Sequence, residues 1–224
     1  MLDQTEEAQQ AASRFPDMPF LFAVTTTAFA GFLDAIGYMQ LSGLYVSFMS
    51  GNSTRLGVDL AQGNMAVVFQ SGCVIAVFVL GAFAGTVIAS QFDRPSPAPI
   101  LAAEFGLVAI ALLLTQAQVG FAALLPVAAA MGLQNVLHHT VSGADLGKSF
   151  LTGTLFGIGQ ALAHYVCRKG RAAAAIVQLA CWLAFVAGVV GGALVITSVS
   201  LRDALLLALL LLALVAVIAK CAIR

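Results

Sequence analysis

Two stretches of this chain set small polar side chains beside a glycine at what reads as a helix start. Ser50, Gly51, Asn52 and Thr54 lie in SFMSGNSTRLG (47–57), and Thr152, Gly153 and Thr154 lie in SFLTGTLFGIG (149–159). A helix beginning there leaves its first N–H groups without intrahelical partners, and Ser, Thr or Asn can cap them or yield them to a ligand. That end carries partial positive charge, so the chemistry on offer is non-covalent binding of a small polar or anionic solute. Gly51 and Gly153 permit the turn and a close backbone approach. The same residues serve equally well as capped helix starts or as interhelical packing, and both readings stand at this stage.

Four ionisable residues, Asp34, Arg55, Asp59 and Glu104, lie in or near apolar segments. A charge near the bilayer centre costs at least about 2.5–3.5 kcal/mol on insertion scales, so each needs a partner or a role. Asp34 precedes a short connection and Arg55 follows it, which suggests an ion pair acting as a structural lock or in substrate or proton coupling. Glu104 is expected near the membrane interface, in contact with water. Gln134 and Asn135 add amides at the end of another apolar segment. His138 and His139 are adjacent and point about 100° apart on a helix, so they do not form an i, i+4 metal clamp. They are expected at the interface, while His164 follows the second motif by more than two turns. Four scattered cysteines without a CxxC indicate neither a disulfide framework nor zinc. With no HExxH, GxSxG or P-loop either, the chain reads as a non-enzyme without metal or cofactor.

The elements that must position these groups are membrane helices. Hydrophobic residues make up 61% of the chain and charged residues 9%, with a mean hydropathy of +1.00, far from soluble-domain averages. A formal net charge of zero and an acidic N-terminus argue against nucleic-acid binding. Residues 1–17 read as a retained polar tail rather than a secretory signal, since they lack a basic start and an apolar core. Spans of roughly 20 apolar residues are expected near 18–40, 65–91, 99–117, 119–139, 173–197 and 201–222. The shorter or more polar stretches 44–62 and 146–165 hold the two motifs.

The duplication extends beyond the motif. GFLDAIGY around Asp34 matches MGLQNVLH around Gln134, and FVLGAFAG (78–85) matches FVAGVVGG (185–192). The expected fold is all-α, with a first membrane repeat over 18–117 and a second over 118–224. Gly81/Gly85 and Gly188/Gly192 form GxxxG faces expected to pack helices closely, within the chain or between subunits of a homo-oligomer. Positive-inside bias puts Arg168, Lys169, Arg171, Lys220 and Arg224 in the cytoplasm, and with them the C-terminus. If the motif segments are re-entrant, six spans result, Arg94 and Lys148 also fall inside, and the halves are inverted. If the motif segments cross, there are eight spanning helices and parallel halves. The charge distribution favours six spans.

GFLDAIGY, SFMSGNSTRLGVDLAQG, and GLQNV followed by SFLTGTLFGIG together resemble the YoaK family of bacterial membrane proteins, also called DUF1275. The resemblance covers the chain from about Phe20 to its last span, and its most specific element is Ser50-Gly51-Asn52 with Thr152-Gly153-Thr154. It implies a polytopic protein of the bacterial inner membrane and brings no established site. Arg55 departs from the apolar residue that relatives tend to carry there, which leaves it either part of a family mechanism or a private feature of this chain.

Two functions remain. The first is a small-solute transporter or channel in the lipid bilayer, with a polar site between the repeated motifs drawn from Asp34, Ser50, Gly51, Asn52, Thr54, Arg55, Gln134, Asn135, Thr152, Gly153 and Thr154. The second is a non-transporting scaffold or subunit whose GxxxG faces bind partner helices.

Overall fold

The computed structural model describes residues 20–92, 96–117, 120–137, 140–141, 144–145, 151–167 and 173–222. They form eight helices: α1 (Phe20–Gln40), α2 (Met49–Gln62), α3 (Met65–Ser90), α4 (Ala98–Thr115), α5 (Gly120–Gln134), α6 (Leu151–Val166), α7 (Ala173–Ser198) and α8 (Leu201–Ala222). A two-residue antiparallel ladder, β1 (Thr140–Val141) with β2 (Ala144–Asp145), joins α5 to α6. The tail at 1–17, Arg94, His138, His139, Lys148, Ser149, the cluster Arg168, Lys169 and Arg171, and Arg224 lie outside the described residues.

Five helices, α1, α3, α4, α7 and α8, are long and apolar enough to cross a bilayer. Their outward faces carry bare Phe69, Phe83, Leu183, Leu194 and Leu210. A surface of this kind is stable only where the surrounding solvent is hydrocarbon, so the chain is a multi-pass membrane protein. α5 is shorter than the expected 119–139, at 15 residues with Pro126 inside it. It stops because Val136 and Leu137 donate to Leu133 and Gln134, three residues back, which tightens the turn out of the helix.

Glycines fix how the helices meet. A Cβ at Gly188 would collide with the carbonyl oxygen of Ala28, one at Gly192 with that of Phe32, and one at Gly31 with that of Phe185. α1 and α7 therefore touch backbone to backbone and run in the same direction. The same scheme joins α3 and α5: Gly81 lies on the Ala129 carbonyl, Gly85 on Leu133, and Gly132 on the Phe78 carbonyl. Both GxxxG faces are thus spent inside the chain, each against a helix from the other side of the 117/118 boundary.

The remaining elements hang on these two pairs. α2 packs on α3 and α6 on α7, while α4 lies against α5 and α8. The start of α4 sits beside the end of α8, Leu101 and Phe105 sharing a cleft with Leu212 and Ala216. Phe22, Leu33, Ile36, Ile100, Leu124, Met131 and Leu205, all fully buried, make up the centre of the core.

Candidate functional site

The connection between α1 and α2 is built around one carboxylate. The chain reverses at Ser42 and Gly43, both left-handed (φ 54° and 87°), so residues 44–48 fold back along α1. Asp34 lies six residues before the end of α1, about 9 Å along its axis. Its Oδ1 accepts the N–H groups of Val46 at 2.9 Å and Ser47 at 2.7 Å, and its Oδ2 accepts the Ser47 hydroxyl at 2.7 Å. Asp34 is buried, as are Val46 and Ser47. Charge-assisted bonds of this length are among the strong ones, and here they tie the entry of α2 to α1.

Asn52 supplies the second tie. Its Oδ1 accepts the Tyr45 N–H at 2.9 Å and its Nδ2 donates to the Tyr45 carbonyl at 2.7 Å, so the amide pairs with one residue's backbone as a strand would. The side chain is fully buried. The Tyr45 ring also lies between Tyr38, tilted by 37°, and Phe48, edge-on at 89°, with ring centroids 5.0 and 5.2 Å away. Asp34 and Asn52 thus spend most of their polar capacity on residues 45–47 rather than facing a ligand.

Arg55 does not pair with Asp34. It reaches Asp59 one turn on in α2, at 3.4 Å, with its guanidinium against Gly43. The expected ion pair fails because the fold-back gives the Asp34 carboxylate nearer donors in the backbone. Ser50 and Thr54 face outward, and the Thr54 hydroxyl donates to the Ser50 carbonyl.

Among the described residues the two motifs do not come together. Gly51 and Asn52 belong to α2 on the flank of α3, whereas Thr152, Gly153 and Thr154 belong to α6 on the flank of α7, and α2 and α6 form no packed interface. α6 has no buried residue, and Thr152 is exposed. Ala28, Gly31 and Phe32 meet α7 as Ala129, Gly132 and Leu133 meet α3, a spacing that sets Asp34 level with Asn135 rather than with Gln134. The Asn135 amide donates to the Met131 carbonyl at 2.8 Å.

Gln134 instead meets Glu104. Its Nε2 donates to Glu104 Oε1 at 2.9 Å across the α4–α5 hairpin, and Glu104 Oε2 has no hydrogen-bond partner among the described residues. Glu104 is fully buried, against the expectation of an interfacial, solvated acid. The hairpin fold brings it inward, and α4 is so evenly apolar that its sequence marks no inner face. No group of three potential metal ligands gathers among the described residues.

A family model described as "Protein of unknown function (DUF1275)" matches residues 22–218. The chain is 35% identical over 167 residues to a UPF0700 transmembrane protein of Rhizobium meliloti, covering 75% of this chain and 71% of the relative. It is 25% identical over 133 residues to the UPF0700 transmembrane protein YoaK of Bacillus subtilis, covering 56% of this chain and 59% of that protein. No solved structure matches it. With the family match running through all eight helices, the chain belongs to the YoaK (DUF1275) family of transmembrane proteins.

Proposed function

We propose that this chain is a small-solute transporter or channel of the bacterial inner membrane whose working polar group is the Glu104–Gln134 pair. The observation that carries the reading is the Oε2 of a fully buried glutamate inside a spanning helix, without a hydrogen-bond partner among the described residues. An acid held there is expensive and marks a pathway or binding site by default. When ionised the carboxyl accepts hydrogen bonds only, and the favoured solute is then cationic or a neutral donor. An anion at the start of α2 would meet the Asp34 carboxylate, already seated on the amides of Val46 and Ser47.

The architecture proposed with this function has six spans, re-entrant α2 and α6, and inverted halves. Helix directions support it. α7 and α8 are joined by two residues and α4 and α5 by four, so each pair is antiparallel. α4 runs against α8, as its start lies by the end of α8, and therefore runs with α1. α5 then opposes α1, and α3, which runs with α5, opposes α1 too. Helices α1 and α3 in opposite senses leave α2 returning to the side it entered from. In this arrangement the C-terminus is cytoplasmic if Lys220 follows the positive-inside bias.

The scaffold reading loses its means of binding, because the GxxxG faces are occupied within the chain. The test is flux in proteoliposomes over a panel of small cationic, neutral and anionic solutes. Glu104→Ala should abolish flux of the transported solute while the protein remains inserted and monodisperse, and Thr154→Ala should leave it intact. Flux through the intact chain that Glu104→Ala does not change would remove the proposal's basis.

A further inference from the structure

The cleft between α4 and α8 is separate from the Glu104 pair and is built differently. It encloses about 860 Å³. Its walls are apolar, with Leu101, Phe105, Leu212 and Ala216 along its length, and small side chains keep it open. One end is polar, where Lys220 and Ser96 stand at the rim. Lys220 is exposed and forms no ion pair among the described residues. The start of α4 opens on the same rim, with its partial positive charge, while the Ser96 hydroxyl accepts the Ala98 N–H at 3.3 Å.

We propose that this cleft is a binding site for an anionic phospholipid of the bilayer, an acyl chain lying between α4 and α8 and the phosphate resting on Lys220. The assignment follows from the order of chemistry along the cleft. Hydrocarbon walls select an apolar chain, and the Lys220 ammonium, unpaired among the described residues, selects negative charge where that chain meets water. A lysine at the end of a spanning helix extends its stem along the apolar wall and leaves its head at the interface, at the level of lipid phosphates. Basic pockets between spanning helices recognise anionic headgroups by this division of labour. A free phosphate would use the ammonium but leave the walls empty. A zwitterionic lipid would fill the walls, but its own cation would oppose Lys220.

The test is native mass spectrometry of the full chain released from detergent after exposure to an anionic and a zwitterionic phospholipid with identical acyl chains. The intact protein should retain the anionic lipid about fivefold better, the factor expected from one lysine near a lipid surface. Lys220→Gln should bring the two lipids level, and Ala216→Trp, which fills the cleft, should lower retention of both. Added inorganic phosphate should displace neither. Equal retention by the intact protein, a preference that survives Lys220→Gln, retention unaffected by Ala216→Trp, or displacement by phosphate would each overturn the assignment. Lys220 lies outside the core, so Lys220→Gln is read in a folded protein, with circular dichroism and elution volume as checks.

Discussion

Asp34 holds Ser47 twice, by the backbone N–H on Oδ1 and by the hydroxyl on Oδ2, each at 2.7 Å. Asp34→Ala strands the amides of Val46 and Ser47 together with that hydroxyl in a buried place. At about 1–3 kcal/mol for each unsatisfied group, the expected loss is several kcal/mol. Asp34→Asn keeps one carbonyl oxygen for the amides and offers an NH2 that the Ser47 oxygen can accept, so it should cost clearly less. Thermal unfolding in detergent separates the two, and equal midpoints for both variants and the parent would show that the clamp holds nothing.

Asn52 acts on the same segment through Tyr45, so its removal should not add simply to that of Asp34. Asn52→Ala and Asp34→Ala are expected to couple by more than about 0.5 kcal/mol in a double-mutant cycle, as for neighbours in one network. Asn52→Asp should be at least as damaging as Asn52→Ala, because it sets a carboxylate oxygen against the Tyr45 carbonyl now held at 2.7 Å. Strict additivity would mean that the two side chains hold independent elements.

The spans were legible because hydropathy and length are properties of a segment. The expected 65–91 and 201–222 correspond to Met65–Ser90 and Leu201–Ala222. Partner choice was not legible in the same way. Asp34 and Arg55 are opposite charges across a short connection, yet the left-handed Ser42-Gly43 step decides that Asp34 meets backbone amides instead. That Ser-Gly dipeptide was a turn signal available from the start. Glu104 was visible as an acid in an apolar run, but nothing in a helix apolar all round tells which side faces α5. String similarity aligns Leu33 with Leu133 and so sets Asp34 against Gln134, whereas the glycine contacts align Gly31 with Gly132 and set it against Asn135.

Those contacts make the glycines unequal. Gly81→Ala and Gly188→Ala drive a methyl into backbone carbonyls of Ala129 and Ala28, which cannot move without the whole helix. Each should cost about 1–3 kcal/mol, the usual scale of overpacking. Gly72 and Gly106 have open space where a Cβ would stand. Gly72→Ala and Gly106→Ala should leave stability unchanged or raise it by up to about 1 kcal/mol, through helix propensity alone. Melting midpoints of the four variants would reverse this order if the glycines were merely tolerated.

The Arg55–Asp59 contact belongs to another scale. Arg55 is about a third exposed, at 37%, and the pair is an i, i+4 ion pair within α2. Such pairs are worth about 0.3–0.5 kcal/mol, so Arg55→Gln should shift the midpoint far less than Asp34→Ala. A loss from Arg55→Gln matching that of Asp34→Ala would mean that its contact with Gly43, not the ion pair, anchors the turn.

Helix direction makes the six-span proposal testable with single cysteines in a cysteine-free background. Ser42 follows α1, Gln62 ends α2, Gln116 follows α4 and Ser200 lies between α7 and α8. If α2 and α6 are re-entrant, all four positions emerge on one face, opposite the C-terminus. If both motif helices cross, Gln62 and Gln116 emerge on the face of the C-terminus, while Ser42 and Ser200 stay where they were. An impermeant maleimide added to intact cells should therefore label Ser42→Cys, Gln62→Cys, Gln116→Cys and Ser200→Cys alike and leave Lys220→Cys unlabelled until the membrane is opened. Labelling of Ser42→Cys and Ser200→Cys without Gln62→Cys and Gln116→Cys would replace the inverted halves with parallel ones.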